Sequence, residues 1–195
     1  MHQTLGRTKK INLVLIAGKA GSGKTVIAEY LLKKLQENIE LSRLSIQPLA
    51  KPIKDLAYAY FGWDGIKDAR GRKLLQVIGT EAGRNYDEDI WVRKFDEQAG
   101  SELNYFVIAD DWRFPNECKY FAKNFLYEIT KVRVERSELL TEGVEYEHVS
   151  EQALPDGNKN PDEYDFVISN NGTVPELYDA VGNLLQHLRT KILFT

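Results

Sequence analysis

Lys24 and Thr25 close the run Gly18-Lys19-Ala20-Gly21-Ser22-Gly23-Lys24-Thr25, which fits the pattern G-x-x-x-x-G-K-[ST]. The chemistry of that spacing is phosphate binding. Gly21 and Gly23, with Ser22 between them, let backbone N–H groups curl around phosphate oxygens, and the N-terminus of a following helix adds partial positive charge. An ammonium at Lys24 would reach the outer phosphates of a nucleoside triphosphate, and the Thr25 hydroxyl would ligate magnesium. ATP and Mg2+ are therefore the expected ligands. The plain alternative is a glycine-rich turn carrying a solvated lysine. The flanks favour the phosphate loop: Ile11 to Ala17 is a short apolar run that reads as a buried parallel strand, and Val26, Ile27, Tyr30, Leu31 and Leu35 recur at helical spacing.

A second cluster, Asp110-Asp111-Trp112-Arg113-Phe114-Pro115-Asn116-Glu117, ends another apolar run, Tyr105 to Ala109. Loops at the carboxyl ends of parallel strands line the ligand crevice, so this cluster should face the phosphate loop. An acid there can hold magnesium through water or orient an attacking oxygen, and an arginine can neutralise charge on a transferring phosphoryl group. Arg113 is the expected catalytic arginine and Asp111 its acidic companion, beside Lys24. The competing role for Asp110 or Asp111 is to cap the following helix.

A third set spans Arg70 to Arg84. Arg72 and Gln76 lie one helical turn apart and share a face. Gly79 and Gly83, around Thr80 and Glu81, are expected to break the helix and expose donors close to Arg84. Such a site suits a monophosphate, gripped by arginine forks, with an aromatic face such as Trp91 stacking on a base. Solvated arginines and a core Trp91 are the bland counterpart. Beyond these, Arg136, and with less support Arg133, would swing over the phosphates on closure of a lid. Asn170-Asn171-Gly172 either places Asn171 beside a purine or forms a plain turn. His148-Val149-Ser150-Glu151 reads as a helix start capped by Ser150.

These residues need a scaffold, and strands alternating with helices imply a doubly wound, mostly parallel five-stranded α/β sheet. The strand candidates are Ile11–Ala17, Leu44–Gln47, Tyr105–Ala109, Tyr127–Val134 and Phe166–Ile168. Helical spacing appears over Ile53–Phe61, Arg72–Ile78, Trp91–Ala99, Asn116–Asn124 and Pro175–Lys191. The 195 residues suit one domain over 11–195, after a flexible leader at 1–10. Two stretches interrupt the alternation: a helical insertion at about 52–102 and a polar segment at about 136–163. In a phosphate-loop kinase these are the places for an acceptor-binding subdomain and a closing lid.

Composition narrows the partners. A net charge of −3, with 43% hydrophobic and 28% charged residues, is ordinary for a soluble protein and argues against stable nucleic-acid binding. The apolar run after Lys9 and Lys10 is too short for a signal peptide or a membrane span. The single cysteine, Cys118, permits no internal disulfide, so a cytoplasmic setting is expected, with Cys118 as a small packing residue. A homodimer is left open.

The chain resembles the bacteriophage-type deoxynucleoside monophosphate kinases, a branch of the P-loop nucleoside monophosphate kinases. The likeness is carried by the phosphate loop, by Arg72-x-x-Leu75-Gln76-x-x-Gly79-Thr80-Glu81 with Gly83-Arg84, by Trp91, and by Asp111-Trp112-Arg113-Phe114-Pro115-Asn116-Glu117. His148-x-Ser150-Glu151 and Asn171-Gly172 also look like the family pattern, which runs from about Ile11 to Leu188. The resemblance implies ATP- and magnesium-dependent transfer to a deoxynucleoside monophosphate, in a host cytoplasm if the chain is phage-encoded. It also implies acceptor contacts from Gly79, Thr80, Trp91, Asp111 and Glu117. Two positions depart from it: Ala20 stands where some members place a basic residue, so Lys19, Lys54 or an arginine would substitute, and Thr25 stands where several have aspartate. A P-loop kinase for another phosphorylated small molecule, phosphomevalonate-like, and an ATP-gated binding protein are the rival readings.

Overall fold

The structure, a computed structural model, describes residues 10–37, 44–101, 105–137, 154 and 163–193. Its centre is β1 (Ile11–Ala17), buried along all seven residues. That explains a run that is apolar at every position but Asn12: a strand covered by helices on both faces has no polar side to alternate with. Its side chains still divide by parity. Val14 and Ile16 join one core with Ile27, Leu31, Leu184 and Leu188, while Leu13, Leu15 and Ala17 join a second with Val92, Phe95 and Phe121.

Around β1 the sheet has the order β2 (Leu44–Ile46), β3 (Phe106–Trp112), β1, β4 (Tyr127–Glu135), β5 (Phe166–Ser169). Every pairing is parallel, so the mostly parallel expectation is met in full. Helices α1 (Lys24–Gln36), α2 (Lys51–Phe61), α3 (Ala69–Gln76), α4 (Ile90–Ser101), α5 (Pro115–Ala122), α6 (Val174–Ala180) and α7 (Gly182–Leu193) complete the described fold. The last expected helix divides at Val181, yet its apolar face survives: Leu177, Val181, Leu184, Leu185 and Leu188 are all buried. No described helix is long and apolar enough to cross a membrane. Cys118 lies on α5 as a partly buried packing residue, and burial pushes its thiol up, away from nucleophilic behaviour.

The insertion has packing of its own and one departure from its expected helix. It carries a core of its own, built from Ala57, Trp63, Ile78 and Trp91 with Ile53, Leu56, Leu74 and Leu75 packed against it. Gly79 and Gly83 also do not break the helix. After α3 the chain widens into a π-helical segment, Val77–Arg84. Trp91 explains the glycine at 83: a Cβ there would lie 2.3 Å from the indole nitrogen, so only glycine admits the ring. The indole N–H donates to the Gly79 carbonyl at 2.8 Å.

Candidate active site

The phosphate loop leaves β1 and enters α1 through Gly23, whose φ of +101° is left-handed. A side chain at 23 would also collide with the Asn170 amide, 2.4 Å from an added Cβ. That amide donates to the Ser22 carbonyl at 2.8 Å, tying the loop to the end of β5. No side chain caps the first turn of α1 and no acid lies within it, so its N–H groups remain available to an anion. Lys24 Nζ donates to the carbonyls of Gly18 and Lys19, each at 2.7 Å. The buried Ser22 hydroxyl has no hydrogen-bond partner. A backbone nest, a lysine parked on loop carbonyls and an orphaned hydroxyl form a cradle that fits phosphate.

Beside this loop lies β3, in a register that pairs Leu15 with Ala109 and Ala17 with Trp112. Two residues, Asp110 and Asp111, therefore oppose Ile16 alone, a bulge at the end of the strand. It sends the two carboxylates to different tasks. Asp110 Oδ2 accepts from the Thr25 hydroxyl at 2.6 Å. Thr25 and Asp110 thus supply two hard oxygens next to the cradle. That is the partial set suited to magnesium, which keeps several waters and takes the rest from phosphate oxygens. Asp111 instead accepts from the backbone N–H groups of Leu49 and Ala50 at 2.6 and 3.1 Å. It ties the entrance of the insertion to the sheet, and burial with neighbouring Asp110 holds its carboxyl above the usual range.

Asp111 and Glu117, the expected acceptor contacts, both have carboxylates engaged by the protein itself. Glu117, 3% exposed, forms an ion pair with Arg84 and accepts from the backbone N–H groups of Arg113 and Phe114. Trp91 is a core residue rather than an open stacking face. Arg72 is exposed on α3, with Nε donating to the Lys67 carbonyl at 2.7 Å. Gln76 and Thr80 are half-buried on the same side of the sequence, and Gly79 is buried against Ile53. Arg113 stands at the β3 exit, partly exposed.

Lys67 is a residue that the spacing did not indicate. Desolvation lowers its affinity for a proton, and the charges of Lys54, Arg113 and Arg72 lower it further against the opposing pull of Asp111. Lys54, Arg113 and Arg72 thus lie within electrostatic reach of Lys67, with Asp111 opposing them.

On the other flank a cavity of about 420 Å³ opens beside the loop, lined by Gly21, Lys24, Thr25, Arg136, Asn170 and Val174 among others. Arg136 is where a closing cation was expected. Arg133 is not: it is buried in β4, 3.5 Å from Glu135 and over the Tyr164 ring. The Asn171 side chain accepts from the Ser137 N–H at 2.7 Å and donates to Ser169. Asn170, not Asn171, lines the cavity. Most of the expected lid, with His148, Ser150 and Glu151, lies outside the described residues.

A parallel sheet with a phosphate loop after β1 and an acid pair at the end of the adjacent strand is the arrangement of the P-loop kinase fold. Two solved structures share the fold. A shikimate kinase from Bacteroides thetaiotaomicron aligns with a TM-score of 0.52 at 15% identity, over 92% of this chain and 98% of that one. A provisionally named kinase from Chloroflexus aurantiacus gives 0.51 at 14%, over 94% and 99%. No protein-family model matches the chain.

Among curated sequences the chain is 30% identical to the deoxynucleotide monophosphate kinase of Escherichia phage RB69, over 120 residues that span 59% of this chain and 44% of that protein. It is 26% identical to an Acanthamoeba polyphaga mimivirus protein that carries the same name provisionally, over 87% of this chain and 93% of that one. Protein ORF77 of Ictalurid herpesvirus 1, uncharacterized by its own name, is 28% identical over 93% of this chain and 73% of its own length. The resemblance carried by the motifs is therefore matched by relatives that bear that name, and the chain has the fold of P-loop kinases.

Proposed function

We propose that this kinase transfers the γ-phosphoryl group of ATP, with Mg2+, to the 5′-phosphate of a deoxynucleoside monophosphate and releases the diphosphate. One observation carries the reading: the Thr25–Asp110 contact of 2.6 Å joins the phosphate loop to the strand that leads into Arg113, at the carboxyl end of the sheet. The names of the phage and mimivirus relatives support the choice of acceptor.

The chemistry asked of the protein is alignment and charge neutralisation. An acceptor phosphate oxygen is already anionic, so no strong base is needed. Lys24 would exchange its two carbonyl partners for phosphate oxygens of the donor. Thr25 and Asp110 would hold the magnesium ion, which supplies positive charge to the donor phosphates. Arg113, with Lys67 and Lys54 beside it, would receive the acceptor phosphate and offset the charge that accumulates in transfer. Arg136, on the rim of the cavity, would close over the donor side and help exclude water.

The deciding experiment is an acceptor panel. Each deoxy- and ribonucleoside monophosphate is incubated with ATP and magnesium, and diphosphate is measured directly. Turnover of deoxynucleoside monophosphates well above the ATPase background is the expected result. ATP hydrolysis that no nucleoside monophosphate accelerates would remove the reading and favour an ATP-gated switch.

Two further outcomes follow from the site. In Asp110→Asn the Thr25 contact can persist but a charge is lost, so the magnesium concentration for half-maximal activity should rise about 10- to 100-fold. A titration of activity against magnesium checks it. Lys67 bears on pH. Its proton affinity lies below the 10.5 of an ordinary lysine, so its cation disappears as pH rises through that lowered value. The acceptor KM should therefore climb on the alkaline side earlier than an unperturbed lysine would allow. Lys67→Met should show a raised KM throughout and lose that limb. Superimposable alkaline profiles would take Lys67 out of the acceptor site.

A further inference from the structure

We infer that the Arg84–Glu117 ion pair is a positioning device that couples the helical insertion to Arg113, so that the acceptor-binding part of the fold sets the placement of the catalytic arginine. The inference rests on the proposed phosphoryl transfer for its kinetic consequence only.

Glu117 divides its two oxygens between the two parts of the molecule. Oε2 accepts from the backbone N–H groups of Arg113 and Phe114, both at 3.0 Å. Those two amides fix the direction in which the chain leaves β3, and with it the root of the Arg113 side chain. Oε1 is held by Arg84 Nη2. Arg84 is the last residue of the π-helical segment, so it belongs to the insertion. Its guanidinium also lies 3.8 Å over the Phe114 ring. Nη1 adds longer contacts, each 3.3 Å, to Asn116 Oδ1 and to the Glu88 carbonyl.

Asn116 closes the arrangement from the α5 side. Its amide donates to the Glu88 carbonyl and to Asp89, both at 2.8 Å. The insertion is thus fastened to the β3–α5 junction at the same place where Arg113 emerges. The side chains of Arg84 and Glu117 are 12% and 4% exposed, so solvent offers neither an easy replacement partner. A π-helical segment is an uncommon local geometry that concentrates at functional positions, and here it delivers Arg84 to this contact. Movement of the insertion on taking up an acceptor would be passed through one carboxylate to the two amides that carry Arg113.

The test uses Arg84→Met, Glu117→Gln and the double variant in the full chain. Glu117→Gln keeps an oxygen for the two amides while it loses the ion pair. Arg84→Met loses the fork and leaves a carboxyl whose proton affinity burial already raises, so it can neutralise and remain folded. Each single variant should lower kcat about tenfold or more while the KM for ATP stays within about twofold. The double variant should be no worse than the poorer single one, because both break the same contact.

Amide hydrogen exchange supplies a readout that does not depend on turnover. In Arg84→Met the Arg113 and Phe114 amides should exchange at least about tenfold faster, with those of Val107 and Ile108 in β3 unchanged. Unchanged exchange at 113 and 114, or normal kcat in both folded single variants, would overturn the coupling. A uniform rise across β3 would also overturn it, by showing a purely structural pair. A wild-type chain that phosphorylates no nucleoside monophosphate would remove the proposed function, while the exchange data would still decide the brace.

Discussion

Lys24→Met should abolish phosphoryl transfer, with a fall in kcat of at least about a thousandfold and little change in stability. The stability part follows from the contacts. Lys24 is half-buried, its ammonium bonds two loop carbonyls at 2.7 Å, and methionine retains most of its apolar stem. The loop conformation has other supports: the left-handed Gly23 and the Asn170 amide on the Ser22 carbonyl. The catalytic part follows from electrostatics. In the proposed mechanism this cation would sit at the donor phosphates, where closure over the site would exclude water. Initial rates at saturating ATP and acceptor, beside a thermal melt, measure both. Turnover within about tenfold of wild type would mean that the loop does not hold the donor.

Arg113→Ala is expected to lower kcat by at least about a hundredfold while ATP binding changes little. Arg113 stands at the exit of β3, next to the strand that feeds the phosphate loop. Its backbone N–H is pinned by Glu117, and its charge reaches Lys67. In the proposed mechanism an arginine with that support would oppose charge that builds during transfer, so its loss should appear in kcat more than in the KM for ATP. Arg113→Lys should recover part of the rate, because it restores charge without the planar fork. If Arg113→Ala turns over normally, the arginine lies outside the mechanism and Lys67 with Lys54 must carry the acceptor phosphate alone.

Local patterns in the chain carried much of the architecture. The β1 run, the glycine loop and the α1 periodicity are contiguous, so short-range rules suffice to read them. The apolar face from Leu177 to Leu188 could likewise be read although the helix divides, since burial follows spacing more closely than helix boundaries do. The insertion was harder. Glycines at 79 and 83 carry the ordinary signal of a helix end, whereas what crowds them is met only in three dimensions: the Trp91 ring at Gly83 and the Ile53 side chain at Gly79.

The conspicuous block from Asp111 to Glu117 teaches a similar lesson about sites. Its residue types suggest acceptor chemistry, and the structure adds a fastening role that spacing does not show: Asp111 to Leu49 and Ala50, Glu117 to Arg84, with Asn116 on Glu88 and Asp89. Arg133 and Arg136 are both plausible closing cations on paper. The strand register buries the first and leaves the second at the rim of the cavity.

What the order of amino acids settled alone was the phosphate loop, the parallel α/β plan and the expectation of a kinase, because each depends on neighbours in the chain. Which acid faces Thr25, which asparagine supports the loop and which cations surround Arg113 were decided by tertiary structure. The bulge at Asp110 and Asp111 shows why: two adjacent, identical side chains acquire opposite partners only once β3 is set beside β1. A difference that arises from strand pairing leaves no trace in residue type or spacing.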